Sequence, residues 1–409
     1  MEFFKVRTID ETRAMMKDAF AQFSLGEEHL PIENARGRVL AVDVRSDVDV
    51  PHFDRSVVDG YAVKASDVQG ASESVPSFLK LIGAVKMGKE NKAQLSENEC
   101  MYVPTGGMVP MGTQAMVMVE YTQKIADDEV AVQKSTSMYE NMMRVGDDIK
   151  RGEVVLERSK RIAPQDIGAL ASTGHVEALV YKRPTFSVLA TGDEIVAPDS
   201  ENVAGRIKDI NTFSLAAQIE SFGGEVVLKK VVQDDYDTIL SEVKAAVKAS
   251  DVVLISGGSS VGEKDYTYDI LKELSGKEII AHGLNIKPGK PTIVADVNGK
   301  PVIGLPGQPA SALIVLVQML DILHEVFYRT KRDKSYMSAV LDQNVASSPG
   351  RKTFQMVQIV DDGQNKTAKV IRGKSGMISL LSKAYGYFVI ESSSEGKEAG
   401  ERVRVYPLM

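Results

Sequence analysis

Beyond Arg183-Pro184, short apolar runs alternate with longer stretches of helical periodicity until about residue 328, and this alternation constrains the fold more than any other feature of the chain. The runs at 186–190, 251–255 and 301–305 are almost continuously apolar, with a further run at 226–232. Successive strand residues point to opposite faces, so such runs need cover on both sides. Between and after them, 212–222, 237–249, 265–274 and 309–327 read as helices, the first stopped by Gly223-Gly224. Strands that alternate with helices in this way form a doubly wound, mostly parallel α/β sheet.

The flanks read differently. At 409 residues the chain exceeds what one hydrophobic core can serve, so two to four domains are expected. Thr8-Ile9-Asp10-Glu11 is a capping box, and Met15, Met16, Ala19, Phe20 and Phe23 follow at helical spacing, predicting an amphipathic helix over 8–24. From about 47 to 146 the character turns to short β runs (78–85, 99–103, 115–121, 129–134) punctuated by Gly and Pro. A short helix is predicted from Pro164 to near Gly174. The last stretch, 335–409, is β-rich, with Asp362-Gly363 as a hairpin signal. The fold class is therefore multidomain, a central α/β domain accompanied by β-rich ones.

Charge and composition exclude several function classes. A net charge of −7 and a pI near 5.5 argue against nucleic acid as the main partner, because a phosphate backbone needs a basic face. The N-terminal MEFFKVRTIDE carries acids where an export signal needs an apolar core, and the run Leu313–Val317 is broken by Gln318 and Asp321, so it reads as a buried helix. No membrane association and a cytoplasmic location are expected. Cys100 is the single cysteine and only five histidines are present, which leaves no thiolate zinc site and disfavours a transition-metal cage. Hard cations on carboxylates remain open.

The chemistry-bearing residues gather after the central strands. Strand 186–190 runs into Thr191-Gly192-Asp193-Glu194. Strand 251–255 runs into Ser256-Gly257-Gly258-Ser259-Ser260-Val261-Gly262, with Asp265 opening a helix. Strand 301–305 runs into Pro306-Gly307-Gln308-Pro309. In doubly wound sheets the carboxyl ends of strands form the ligand crevice, and glycine turns before helices expose N–H groups to anions. A tight turn needs glycine for backbone reasons alone, so the weight lies on three such turns sharing one edge. Between them, Ile286-Lys287-Pro288-Gly289-Lys290-Pro291 sets two ammonium groups on a stiff loop, suited to an oxyanion or else simply solvated. Glu194, Asp234-Asp235 and Asp265 stand beside these turns. Asp265 alone can simply cap its helix, and together the acids suggest Mg²⁺ held against a phosphate, or they steer a ligand or accept its hydrogen bonds. Outside this domain, Asp59-Gly60 within FDRSVVDGYA, Thr105-Gly106-Gly107 and Gly146-Asp147-Asp148 read as turns or as site residues, and spacing leaves both open.

These motifs, in this order, resemble the molybdopterin molybdenumtransferases, the MoeA-type proteins that include the E domain of gephyrin. FDRSVVDGYAV, PTGG, VGDDI, ATGDEI, SGGSSVGEKDYT, IKPGKP, LPGQPAS, GRKTF and SGMISLL carry the resemblance over essentially the whole chain. It implies a homodimer with an active site across the subunit interface, in which 1–46 and 147–178 form a discontinuous dimerisation domain. Residues 47–146 are then an inserted β domain, 179–328 the molybdopterin-binding domain and 329–409 a C-terminal β domain. The implied reaction inserts molybdate, as substrate, into adenylylated molybdopterin with Mg²⁺-dependent release of AMP.

The resemblance places catalytic roles at Asp59, Thr105, Glu194, Asp235 and Asp265, with Glu194 and Asp265 as candidate Mg²⁺ ligands. Substrate contacts fall at Asp148, Lys287, Lys290, Pro306, Pro309 and Ser375, joined by the turn residues Thr191, Gly192, Ser256, Gly257, Gly258, Ser259, Gly262 and Gly307. It also implies contact with the adenylyltransferase that acts one step earlier. Two departures are Gln308 where the family carries Asn, and Arg55 where an amide is common. The alternatives are that adenylyltransferase itself, whose glycine loop usually reads TGGTG, a tungsten-preferring version, or a non-catalytic scaffold that binds molybdopterin.

Overall fold

Every residue of strand Val252–Ser256 is buried, so the sheet that holds it is covered on both faces. The computed structural model describes residues 5–257, 266–347, 349–374 and 376–408. They form two compact units: residues 29–180, and residues up to 28 together with those from 181 onward.

In the second of these units the central sheet runs in the order Glu225–Val232, Thr185–Thr191, Val252–Ser256, Lys300–Leu305, Ile293–Val297, Ala281–His282. The first four strands are parallel, as predicted, and their register sets Ala190 beside Ser256 and Ser256 beside Leu305, so three carboxyl ends lie level. The last two strands are antiparallel and were not predicted. The turn Asn298-Gly299, with both residues at positive φ (56° and 79°), joins Ile293–Val297 to Lys300–Leu305 as a hairpin, a signal already present in the sequence.

Helices Tyr236–Ala249 and Tyr266–Ser275 cover one face, where Ile239, Val243, Ile270 and Leu271 pack on Leu189, Val253 and Ile255. Helices Asn211–Phe222 and Pro309–Tyr328 pack against each other, and the N-terminal helix Ile9–Ala19 docks on the latter. That N-terminal helix carries the capping box, Glu11 N–H donating to Thr8 Oγ1 at 3.1 Å and Thr8 N–H to Glu11 Oε2 at 2.7 Å. It stops at Ala19, shorter than predicted, and buries Ile9, Thr12 and Met16, with Phe20 buried just beyond; Ala19 is exposed.

The C-terminal β region closes on itself. Strand Lys352–Asp361 pairs with Lys366–Val370 across the Asp362-Gly363 turn and with Gly386–Ile390, and Met337–Leu341 and Arg402–Pro407 complete the ring. Its core includes Leu341, Val357, Phe388 and Val405.

Residues 29–180 hold two main cores. A six-stranded sheet, Ala115–Met118, Gly60–Val63, Glu99–Val103, Ser77–Ala84, Glu129–Val132, Thr122–Ala126, packs around Val63, Leu79, Cys100 and Val130. In the other, Ala35, Leu40 and Val44 meet Leu156, Ile162, Leu170 and Val180. The chain leaves that core after Val44 and re-enters it at Leu156, with the six-stranded sheet built between.

Candidate active site

The three glycine-bearing turns meet at one sheet edge. Gly257 has φ +111°, and a Cβ there would fall 2.4 Å from Thr191 O and 2.8 Å from Thr191 Oγ1, so only glycine lets the second turn pass against the first. The third turn touches the second, a Cβ on Gly307 lying 3.7 Å from Gly257 Cα. Asn211, the first residue of its helix, joins them: its Nδ2 donates to Ser256 Oγ at 2.7 Å and to Gly307 O at 2.8 Å. Thr191 Oγ1 and Asn211 Oδ1 are buried and, among the described residues, have no hydrogen-bond partner. Such groups are nearly always paired, and two at one strand end mark unused binding capacity.

From Pro306-Gly307 the site opens into a cavity of about 820 Å³ between the central domain and the C-terminal barrel. One wall is the Lys287–Pro291 loop. Its Ile286–Lys287 strand pairs in parallel with Lys352-Thr353 of the barrel, and the Thr292 hydroxyl closes the loop by donating to Gly289 O at 2.8 Å. Gly289 presses on helix Pro309–Tyr328 so closely that a Cβ would stand 2.3 Å from Val315 Cγ2. Among the described residues, Lys287, Lys290, Arg351 and Arg372 line the cavity and no Asp or Glu does. Arg372 is steadied by donating to Asn344 O at 3.2 Å. Ala310 and Ser311, in the first turn of the 20-residue helix, also line it, and Gln308 makes no side-chain cap there. Orphan N–H groups at a helix start add positive potential to that of the four cations. The two lysines are exposed and line a cavity whose described charged residues are all cationic.

The acids are distributed otherwise. Glu194 is exposed beyond strand Thr185–Thr191, its carboxylate folded back over Gly192, and it is not among the residues lining the cavity. Asp235 is the N-cap of helix Tyr236–Ala249, accepting from Thr238 Oγ1 at 2.7 Å and Thr238 N–H at 3.0 Å. The Thr238 hydroxyl first, then its N–H, hold this carboxyl below the usual range. Among the described residues no three His, Cys, Asp or Glu side chains gather as metal ligands. Gly258, Ser259, Gly262, Asp265 and Ser375 lie outside the described residues.

In the other unit, Asp59 Oδ1 accepts from Thr105 N–H at 2.8 Å, so these two predicted residues do meet. Asp59-Gly60 is not a hairpin turn: Gly60 opens a strand flanked by Glu99–Val103 and Ala115–Met118. The Thr105 turn is tied to the FDRS segment, Gly106 N–H donating to Ser56 O at 2.8 Å and Ser56 N–H to Gly107 O at 3.0 Å. Beside it lies a cavity of about 450 Å³ lined by His52, Phe53, Lys86 and Lys89 among others. Asp148 is exposed, its N–H donating to Val50 O at 3.0 Å.

Three residues of the site were not singled out from sequence. Arg351 sits in GRKTF, and Arg372 in a glycine-flanked basic stretch, where composition alone suggests surface. Asn211, two residues after Asp209 at a helix start, reads as ordinary capping chemistry.

Comparison with known proteins matches the chain in three stretches. Residues 7–174 match the MoeA N-terminal region (domain I and II), 187–325 a probable molybdopterin binding domain, and 338–408 the MoeA C-terminal region (domain IV). The chain is 31% identical over 404 residues to the molybdopterin molybdenumtransferase of Haemophilus influenzae, covering 98% of each. It is 33% identical over 389 residues to a putative molybdopterin biosynthesis protein of Methanocaldococcus jannaschii, covering 93% of this chain and 92% of the other. Among solved structures it resembles the molybdopterin biosynthesis moeA protein of Pyrococcus horikoshii OT3, with a TM-score of 0.84 and 29% identity over 98% of this chain and 100% of that one.

Proposed function

The chain belongs to the MoeA-type molybdopterin molybdenumtransferase family, and on that premise we propose that it inserts molybdate into adenylylated molybdopterin and releases AMP. The observation that carries this reading is the cavity lined, among the described residues, by four cations and no acid, opening beside the strand-end turns. A tetrahedral divalent oxyanion suits Lys287, Lys290, Arg351 and Arg372, while the phosphates of the adenylylated substrate suit the Ser256-Gly257 and Pro306-Gly307 turns. The two substrates would then meet at Pro306-Gly307, which belongs to both places.

In the proposed reaction the two dithiolene thiols take molybdenum, one oxo group leaving as water with both thiol protons. Hydrolysis of the phosphoanhydride consumes one water and yields AMP. The cavity cations hold the oxyanion and offset charge on the leaving phosphate, and the turns orient the link for attack. Glu194 and Asp265 would hold Mg²⁺, a donor set that fits a cation bound by one or two carboxylates and the substrate's own phosphates. When bound it would supply charge neutralisation along the phosphate bridge.

The same reading takes the active assembly as a cytoplasmic homodimer in which 47–146 of one subunit, with Asp59 and Thr105, completes the site of the other. The four-domain division proposed from the resemblance is supported by the separate cores around Val44 and Leu156, Leu79 and Cys100, Val253 and Ile255, and Val357 and Phe388. Incubating the protein with adenylylated molybdopterin, molybdate and Mg²⁺ should give stoichiometric AMP. No AMP from folded dimeric protein would end the assignment.

A further inference from the structure

Asn211 is 9% exposed and begins helix Asn211–Phe222, yet it does nothing for that helix. Capping falls to Asp209, whose Oδ1 accepts from Thr212 N–H at 3.0 Å and whose Oδ2 engages the Thr212 hydroxyl. The positive end of the helix is thus already met by a carboxylate of the chain itself. The Asn211 amide turns outward to the ligand turns, donating to Ser256 Oγ and Gly307 O. A carbonyl oxygen only accepts, so Gly307 fixes which end of the amide is nitrogen, and Oδ1 is left without a donor. Thr191 Oγ1, 5% exposed and beneath Gly257, is also unpaired.

A purely structural staple would satisfy its own polar atoms and join elements of the sheet or its helices. This one ties Ser256 to Gly307 just past the last rung of the strand ladder, Gly257 N–H to Leu305 O at 3.4 Å, and among the described residues it leaves buried polar capacity unpaired where the turns meet. We propose that Asn211 is a positioning residue: it clamps the turn after Val252–Ser256 to the turn after Lys300–Leu305, so that an adenylate phosphate meets both as one preorganised surface. The inference rests on the reading of the chain as acting on an adenylylated substrate. Without the clamp only long contacts, Gly257 N–H to Leu305 O at 3.4 Å and Ser256 Oγ to Pro306 O at 3.5 Å, join the described parts of the two turns, and binding must then hold them in place.

The test uses the full-length protein, AMP as probe, titration calorimetry for affinity and thermal melting for the fold. Asn211→Ala should raise the AMP dissociation constant at least tenfold while the melting midpoint moves by only a few degrees, as expected when about two hydrogen bonds of binding preorganisation are lost. Asn211→Ser, which keeps one donor, should fall between alanine and wild type. Adding Ser256→Ala to Asn211→Ala should weaken AMP less than about twofold further, because one clamp is broken only once. Lys287→Met, which no hydrogen bond links to Asn211, should multiply in full. AMP affinity within twofold of wild type in Asn211→Ala, or full multiplication with Ser256→Ala, overturns the clamp. So does failure of both Asn211 variants to fold, which would make the residue structural. If wild-type protein itself ignores AMP, the adenylate reading falls, and that result is distinct from either.

Discussion

Removing one cation at a time from the large cavity tests the anion site most directly. Among the described residues, four cations and no Asp or Glu line it. A unit charge about 5 Å from a divalent anion contributes about 1.7 kcal/mol in surroundings as polar as water, and several times that in a dry site. Lys287 and Arg351 are both exposed, so the watery limit applies. Lys287→Met or Arg351→Met should each weaken molybdate binding roughly 10- to 20-fold. Titration calorimetry with molybdate, with tungstate and sulfate in parallel, reads this directly. Tungstate should behave as molybdate does, being nearly the same in size and charge. Salt provides a second axis: the screening length shrinks from about 10 Å at 0.1 M to about 3 Å at 1 M, so wild-type affinity should fall more steeply with salt than that of either variant. Binding in Lys287→Met within twofold of wild type, with no salt dependence in either protein, would refute the electrostatic reading of the cavity.

Three further outcomes are expected. On the proposed homodimer, co-expressing Asp59→Asn with Lys287→Met, each nearly inactive alone, should restore about a quarter of wild-type AMP release, since half the dimers would be mixed and one of their two sites would carry neither change; no restoration would count against a site shared between subunits. Burial pushes the Cys100 thiol up to about 12, so iodoacetamide at pH 8 should label it only after unfolding, and stoichiometric labelling of native protein by mass spectrometry would contradict its place in the core. The Asp235 carboxyl is held below its ordinary value by Thr238, so its contribution to stability is present above the unfolded pKa and is lost as pH falls through the folded one. Asp235→Asn, which still caps, should match wild type in urea midpoint at pH 7 and lose less of it on acidification, and parallel loss in both proteins would remove the cap from the acid response.

How much of this was legible depended on how local the signal was. The parallel strands were readable because each is apolar at nearly every position, and the three level carboxyl ends followed from that topology. The capping box at Thr8 and the turn at Asp362-Gly363 are short-range chemistry, and both formed. The antiparallel strands Ile293–Val297 and Ala281–His282 escaped: Asn298-Gly299 marks only the hairpin from the first of them into Lys300–Leu305, and the second is two residues long, too short for a periodic signal. For the site, Lys287 and Lys290 announced themselves by a stiff loop, whereas Arg351 and Arg372 are cavity residues only because a barrel from later in the chain closes against that loop. No spacing rule encodes such a closure. Asn211 was invisible for another reason: its helix-start position offers a local explanation, and only coordinates reveal that Asp209 has taken that role.

Helix Pro309–Tyr328 shows why that closure can be rigid. By length and composition it could cross a membrane, with a mean hydropathy of 1.7, yet its whole window is buried inside the protein. Its polar residues account for the difference. Gln318 donates to the Tyr387 hydroxyl of the barrel at 3.0 Å; Asp321 pairs with Lys334 and, at 3.8 Å, with Arg332; His324 meets Thr330 O at 3.0 Å. Glu325 takes Lys17 at 3.1 Å and Arg13 at 3.4 Å from the N-terminal helix. Buried charges of this kind add little net stability, but removing one partner leaves an uncompensated charge at a cost of about 3–5 kcal/mol. They therefore act as register marks. A purely apolar helix could slide or rotate among similar packings, and sliding by one residue would carry Ala310 and Ser311 about 1.5 Å along the cavity wall. With its later turns locked to the N-terminal helix, the following segment and the barrel, the first turn of this helix holds still, and an anion at its start finds the same N–H groups and cations each time.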